Sequence, residues 1–237
     1  MYSVLVVRTA PDAGRSAADL TARARIRDAA IVSFAEAGFE TSFRAIAARA
    51  DVSPGLITHH FGAKAVLRAE CDNEVFRRYH ALKSQAIEDA GGDLLAQLAR
   101  PGDAAVVTVY MLRALQAGGA PARAFFESLV DHVRQVVAES VAAGIVRPSR
   151  DEEARARYLT AQTMGAMLVQ LLLRPGLTPD EFVATVLGLQ RGQVLPILEL
   201  YTEGTFTDRR MLDEYLLYVG DPPPARPAGA APADATA

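Results

Sequence analysis

Tryptophan is absent from the 237 residues, cysteine occurs once and lysine twice, as Lys64 and Lys83. A lone cysteine cannot close an intramolecular disulfide, so stability has to come from a buried core, and a reducing compartment suits the chain. Cys71 falls inside a helical pattern and reads as a buried thiol rather than a nucleophile. No apolar run reaches the roughly 18 residues that a membrane span requires. The opening MYSVLVVRTA has no basic region before it and lacks the apolar stretch of about 7 to 15 residues of a secretion signal. The expectation is a cytoplasmic protein with no membrane partner. Also missing are G-x-S-x-G, G-x-x-x-x-G-K-[ST], H-E-x-x-H and G-x-G-x-x-G, so no catalytic residue, metal site or cofactor is assigned.

What is present points to helices. Half of the residues are hydrophobic and 22% are charged, the balance of a globular chain long enough for a sizeable core. The net charge of −3 hides an asymmetry: residues 1–64 carry eight Lys or Arg against six Asp or Glu, and the remainder is acidic. Pro11, Gly14 and Ser16 with little periodicity predict a loose arm over residues 1–20. The Pro- and Ala-rich stretch 221–237 predicts a disordered tail.

Between these ends the apolar period is helical. Ile26, Ala30, Phe34 and Ala37 share one stripe of a helix over 21–37, which Gly38 stops. Thr41 or Ser42 can cap a short second helix that carries Ile46 and Ala47 inward and ends near Ala50. After a tight turn at Asp51 and Val52, Ser53 is a strong N-cap. Pro54 behind it suits the first helical position, where its missing N–H costs nothing. The resulting helix, 53–60, is anchored by Ile57 and Phe61 and ended by Gly62. Two helices of about eight residues joined by a short turn form a helix-turn-helix, and neither persists unless it packs on the first helix. Longer helices follow over 65–90, 103–118, 121–143, 151–174, 179–202 and 208–218, with Gly and Pro at the breaks. The expected fold is all-α with about nine helices, in which a domain over 21–64 precedes a larger one over 65–220.

The stretch ARIRDAAIVSFAEAGFETSFRAIAARADVSPGLITHHFGAKAVL, residues 24–67, resembles the DNA-binding domain of TetR/AcrR family transcriptional regulators. That family's pattern runs R-x-x-I-x-x-A-A, F-A-x-x-G-F, T-S-x-R-x-I-A-x-x-A-x-V-S-x-G-x-x-Y-x-H-F and K-x-x-L. Thr58 stands where the pattern has tyrosine, His59 adds a second histidine, and the loop between Phe39 and Thr41 is one residue shorter.

The resemblance implies a homodimer that binds double-stranded DNA. Its helix-turn-helix would be followed by a variable domain for an effector and for dimerisation. It places His60 and Lys64 against the phosphate backbone and Arg44 where some relatives reach bases, as a guanidinium can on guanine. Pro54, Gly55 and Leu56 occupy the base-facing turn, where apolar contacts can read thymine methyl groups. Ser42 and Ser53 offer hydroxyls or capped N–H groups toward phosphates. Thr58 and His59 complete the set. The competing readings of the histidines are plain surface residues or metal ligands, although no Cys or acidic partner lies at ligand spacing.

Beyond residue 65 the signals weaken. Phe76, Tyr79, Tyr110, Met111, Phe125, Phe126, His132, Gln162, Met164 and Met167 are candidates for an effector pocket, with core packing as the alternative. Leu159, Leu171, Phe182, Val186, Gly188, Leu189, Gly192 and Leu195 are candidates for a dimer interface, with burial inside one subunit as the alternative. The reading is a ligand-responsive repressor that binds a palindromic operator as a homodimer, its small-molecule effector unknown. An activator or ligand-independent regulator is the runner-up, ahead of an all-helical enzyme or a protein-binding adaptor.

Overall fold

Two serines decide where the short helices begin. In the computed structural model, which describes residues 17–88, 102–174 and 177–220, the Ser42 hydroxyl accepts the Ala45 N–H at 3.2 Å and Ser53 accepts that of Leu56 at 3.3 Å. Each satisfies a donor that the first turn would leave unpaired. The helices they start are α2 (Phe43–Ala50) and α3 (Pro54–Phe61). Asp51 ends α2 in the left-handed region at φ 53°, a conformation that Asp tolerates better than most residues. Gly62 ends α3 at φ 66°, its N–H bonded to the Thr58 carbonyl at 2.8 Å.

Before them lies α1 (Ala17–Ala37), after them α4 (Lys64–Glu88). Then come α5 (Gly102–Gln116), α6 (Gly119–Ala142), α7 (Glu152–Leu172), α8 (Pro179–Thr202) and α9 (Arg210–Tyr218). All nine elements among the described residues are helices. The first helix starts four residues earlier than the periodicity suggests, because Ala17–Leu20 already form its first turn. The rest of the expected N-terminal arm and the tail 221–237 lie outside the described residues.

The chain divides into two compact units between Arg191 and Gly192. In the first, the boundary expected near residue 64 is no break in packing. One core runs from Ile26, Ile31 and Phe34 of α1 through Ile46, Ile57 and Leu67 to Val75, Tyr110, Leu129, Phe182 and Val186. Rings mark the seam: Phe34 lies 5.1 Å from Phe39, which meets Tyr110 of α5 edge-on at 5.4 Å. Arg113 of α5 reaches across to donate to the Ala35 and Glu36 carbonyls at the end of α1, and its guanidinium lies 3.6 Å over the Phe182 ring. α5 thus backs α1, the helix on which the marginal eight-residue α2 and α3 pack.

The second unit, from Gly192 onward, holds the end of α8 and all of α9. Leu216 is the one large side chain buried among its described residues, while Phe206, Met211, Tyr215 and Tyr218 stand exposed. Pro196 inside α8 removes one rung of that helix's hydrogen bonding.

Candidate DNA-binding surface

α3 packs by Ile57 and Phe61, both buried, which turns Pro54, Gly55, Thr58 and His59 outward. The exposed side is therefore the amino-terminal turn and the strip below it. Leu56 is half-buried against the core and keeps only an edge at the surface. The Thr58 hydroxyl turns back toward the Pro54 carbonyl at 3.4 Å. Nothing crowds Gly55: a Cβ there would meet only the Ser53 hydroxyl, at an ordinary 3.9 Å. On α2, Ser42 and Arg44 are exposed, and Lys64 is half-buried at the start of α4.

His60 departs from the expectation. It is 7% exposed because it stands three residues after Ile57 and one before Phe61, on the inward edge of the helix. Its ring lies edge-on to Phe61 at 6.1 Å. The outward histidine is His59.

Behind α3 lies an ionic seam between α1 and α4 that the sequence reading missed. Arg23 donates Nε to Glu70 Oε1 at 3.0 Å, pairs its Nη2 with Oε2, and donates Nη1 to the His60 carbonyl at 2.6 Å. One turn on, Glu74 receives Arg77 and Arg78 at 2.6 and 2.9 Å and faces Arg27 at 3.7 Å, while Arg78 also reaches Asp28 at 2.6 Å. The Arg77 hydrogen bond leads the causes that pull the Glu74 carboxyl down to about 2, against the opposing effect of burial. A signal existed: Arg23 and Arg27, four apart beside the Ile26 and Ala30 stripe, match Glu70 and Glu74, four apart on α4.

Residues 26–71 match the family model described as bacterial regulatory proteins, tetR family, and residues 103–207 match the tetracyclin repressor-like C-terminal domain. The chain is 40% identical over 200 residues to the HTH-type transcriptional regulatory protein RaaS of Mycobacterium tuberculosis, covering 84% of this chain and 93% of that one.

The chain belongs to the TetR family.

It is accordingly a DNA-binding transcriptional regulator. Solved structures similar to this TetR-family chain include a putative TetR-family regulator from Rhodococcus sp. (21% identity, TM-score 0.46, covering 72% of this chain and 97% of that one). Another is FadR of Thermus thermophilus, a TetR-family repressor in complex with lauroyl-CoA (21% identity, TM-score 0.42, 78% and 96%).

The structure divides the other candidates of this TetR-family chain by burial. Phe76 stacks on Phe125 at 4.7 Å and on His132 at 4.5 Å, so three expected pocket residues form one aromatic column across α4 and α6. His132 Nδ1–H donates to the Ser128 carbonyl at 2.8 Å, which fixes the ring. Tyr110, Met111, Met164 and Met167 are core residues, whereas Tyr79, Phe126 and Gln162 are half-buried. Tyr110 donates its hydroxyl to Asp72 at 2.6 Å, and burial raises the Asp72 carboxyl against that bond.

Among the expected interface residues, Leu171, Phe182 and Val186 are taken into the subunit's own core. A helical apolar stripe does not say which partner covers it. Leu159 and Leu189 are half-buried, while Gly188, Gly192 and Leu195 are exposed, Leu195 at 73%. Cys71 is buried, and burial pushes its thiol far up, which keeps it inert. Among the described residues no helix is long and apolar enough to cross a membrane, and no three His, Cys, Asp or Glu side chains gather as metal ligands would.

Proposed function

We propose that the protein is a ligand-responsive repressor that binds a palindromic operator as a homodimer. The observation that carries this reading is the outward turn of Pro54 and Gly55, flanked by exposed Arg44 and half-buried Lys64. Such a turn fits a major groove, with Arg44 toward base edges and Thr58, His59 and Lys64 toward the strand. Two copies would place their α3 helices about 34 to 36 Å apart, one helical turn of DNA.

Support for a second copy lies in apolar surface. Tyr158, Val169, Leu172 and Leu173 are exposed on α7 and its C-cap; in the second unit Leu195, Tyr201, Met211, Tyr215 and Tyr218 are exposed. Exposed large apolar side chains of this kind are what a subunit interface covers. The proposed effector site is the neighbourhood of the aromatic column of Phe76, Phe125 and His132, with Tyr79 and Gln162, both half-buried, as candidate polar groups, and an apolar molecule suits it. Phe76 and Tyr79 sit on the helix that Lys64 begins, so α4 is the lever by which occupancy changes the spacing of the two α3 helices.

Selection of bound sequences from random DNA should return an inverted repeat. A screen of apolar compounds should then find one that raises the melting temperature and releases that duplex. Recovery of a single half-site, or of no preferred sequence, would contradict the operator reading.

A further inference from the structure

The carboxyl end of α3 is held in an unusual way. Like any helix, α3 leaves its last carbonyls without partners inside the helix. Gly62 N–H takes that of Thr58 at 2.8 Å and Ala63 N–H that of Phe61 at 2.7 Å. The His60 carbonyl is taken by a side chain from another helix, the Arg23 guanidinium at 2.6 Å. The same guanidinium grips Glu70 of α4 through its other edge and lies 4.5 Å over the Phe61 ring. One planar group therefore joins α1, the end of α3 and the second turn of α4. A cation there also sits at the negative end of the α3 dipole. Lysine cannot replace it, because an ammonium has neither the two-pronged fork for Glu70 nor a flat face for Phe61.

An eight-residue helix has almost no stability of its own, so whatever fixes its ends fixes its tilt. The other end of α3 is the turn that meets DNA. We propose that Arg23, held by Glu70, is a positioning residue for the recognition helix: it sets the angle at which the Pro54–Gly55 turn is presented, and couples that angle to α4. Neither residue needs to touch DNA for this. The inference rests on α3 being the DNA-reading helix and does not depend on the effector or the palindrome.

The test uses full-length Arg23→Lys, Glu70→Gln and the double variant, with a duplex recovered by selection from random DNA. The pair is partly solvated, and such pairs add little to stability; each variant should melt within a few degrees of the parent. Affinity should fall on the order of tenfold in both single variants, with the salt slope unchanged because no phosphate contact is lost. The double variant should be no worse than either single one, as expected when both remove the same unit. Three results would overturn the proposal: wild-type affinity in Glu70→Gln; a salt slope lowered by about one in a further variant, Arg23→Gln, which unlike Arg23→Lys removes the charge and would thereby mark Arg23 as a phosphate contact; or an affinity loss matched by a loss of folded protein. Should Arg23→Lys fail to fold, Glu70→Gln still decides, because it leaves the guanidinium and its carbonyl bond in place. Loss of all DNA binding by the parent protein would instead remove the reading on which the proposal stands.

Discussion

The head, α1 to α3 with the start of α4, and the body behind it, α5 to α7, share one core but were shaped by different demands. In the head, position is set by directional chemistry: serine hydroxyls cap two helices, Asp51 takes a left-handed turn, and the Arg23–Glu70 and Arg27–Glu74 pairs stitch α1 to α4. In the body, Phe125, Leu129, Met164 and Met167 fill the interior, and directional ties such as Asp151 capping α7 and Arg157 paired with Glu127 across α6 and α7 lie on the exposed rim. DNA presents fixed donors, acceptors and phosphates, so a surface that meets it must hold polar groups at set angles. A core asks only for shape, and many sequences supply it.

The most severe way to probe this contrast is at the seam. Phe34 is fully buried against Phe39 and near Tyr110, and Phe34→Ala should cost about 3 to 5 kcal/mol in urea unfolding. Because the core is continuous, head and body should unfold in one transition; two separated transitions would make them independent domains. Arg44→Ala should sharpen the contrast from the head's side, removing about 1 to 3 kcal/mol of discrimination at one base position while leaving the melting temperature alone. An unchanged sequence preference in a binding selection would end the base-reading role of Arg44. Next in size is Ser53→Ala, expected to lose about 1 kcal/mol of stability through the α3 cap, seen as a lower urea midpoint.

Acid provides a subtler handle. Glu74 is held at about 2, so its contribution is complete above the ordinary carboxylate range near 4.3 and is lost as pH falls from there toward 2. Glu74→Gln should abolish that part of the acid dependence, measured as the slope of unfolding free energy against pH; an unaltered slope would show that the seam does not hold the charge. Half-buried Asp72, whose carboxyl desolvation raises, acts in the opposite sense and favours the fold as it gains its proton.

The same contrast explains what could be read without coordinates. Ser53, Pro54 and Gly62 bound α3 by local rules, and the helix lies within a residue of where those rules put it. Arg44, Thr58 and His59 are exposed, as residues that face a partner must be. His60 misleads because its neighbours in sequence point both ways, and only packing shows that it joins Ile57 and Phe61 on the inner side. Arg23 is hard to read from the sequence because its partners lie 37 and 47 residues away. Leu171, Phe182 and Val186 show that apolar periodicity identifies a covered face without naming the cover.

In the proposed docking, the open face at Gly55 is pressed against DNA. Gly55→Glu tests it most directly, since the site has room for a side chain and a carboxylate there would meet phosphate and base edges rather than protein. Titrating a selected duplex against this variant at fixed salt should show binding weakened by about a hundredfold or more with the melting temperature and oligomeric state unchanged. Binding equal to that of the parent would mean that DNA approaches some other surface.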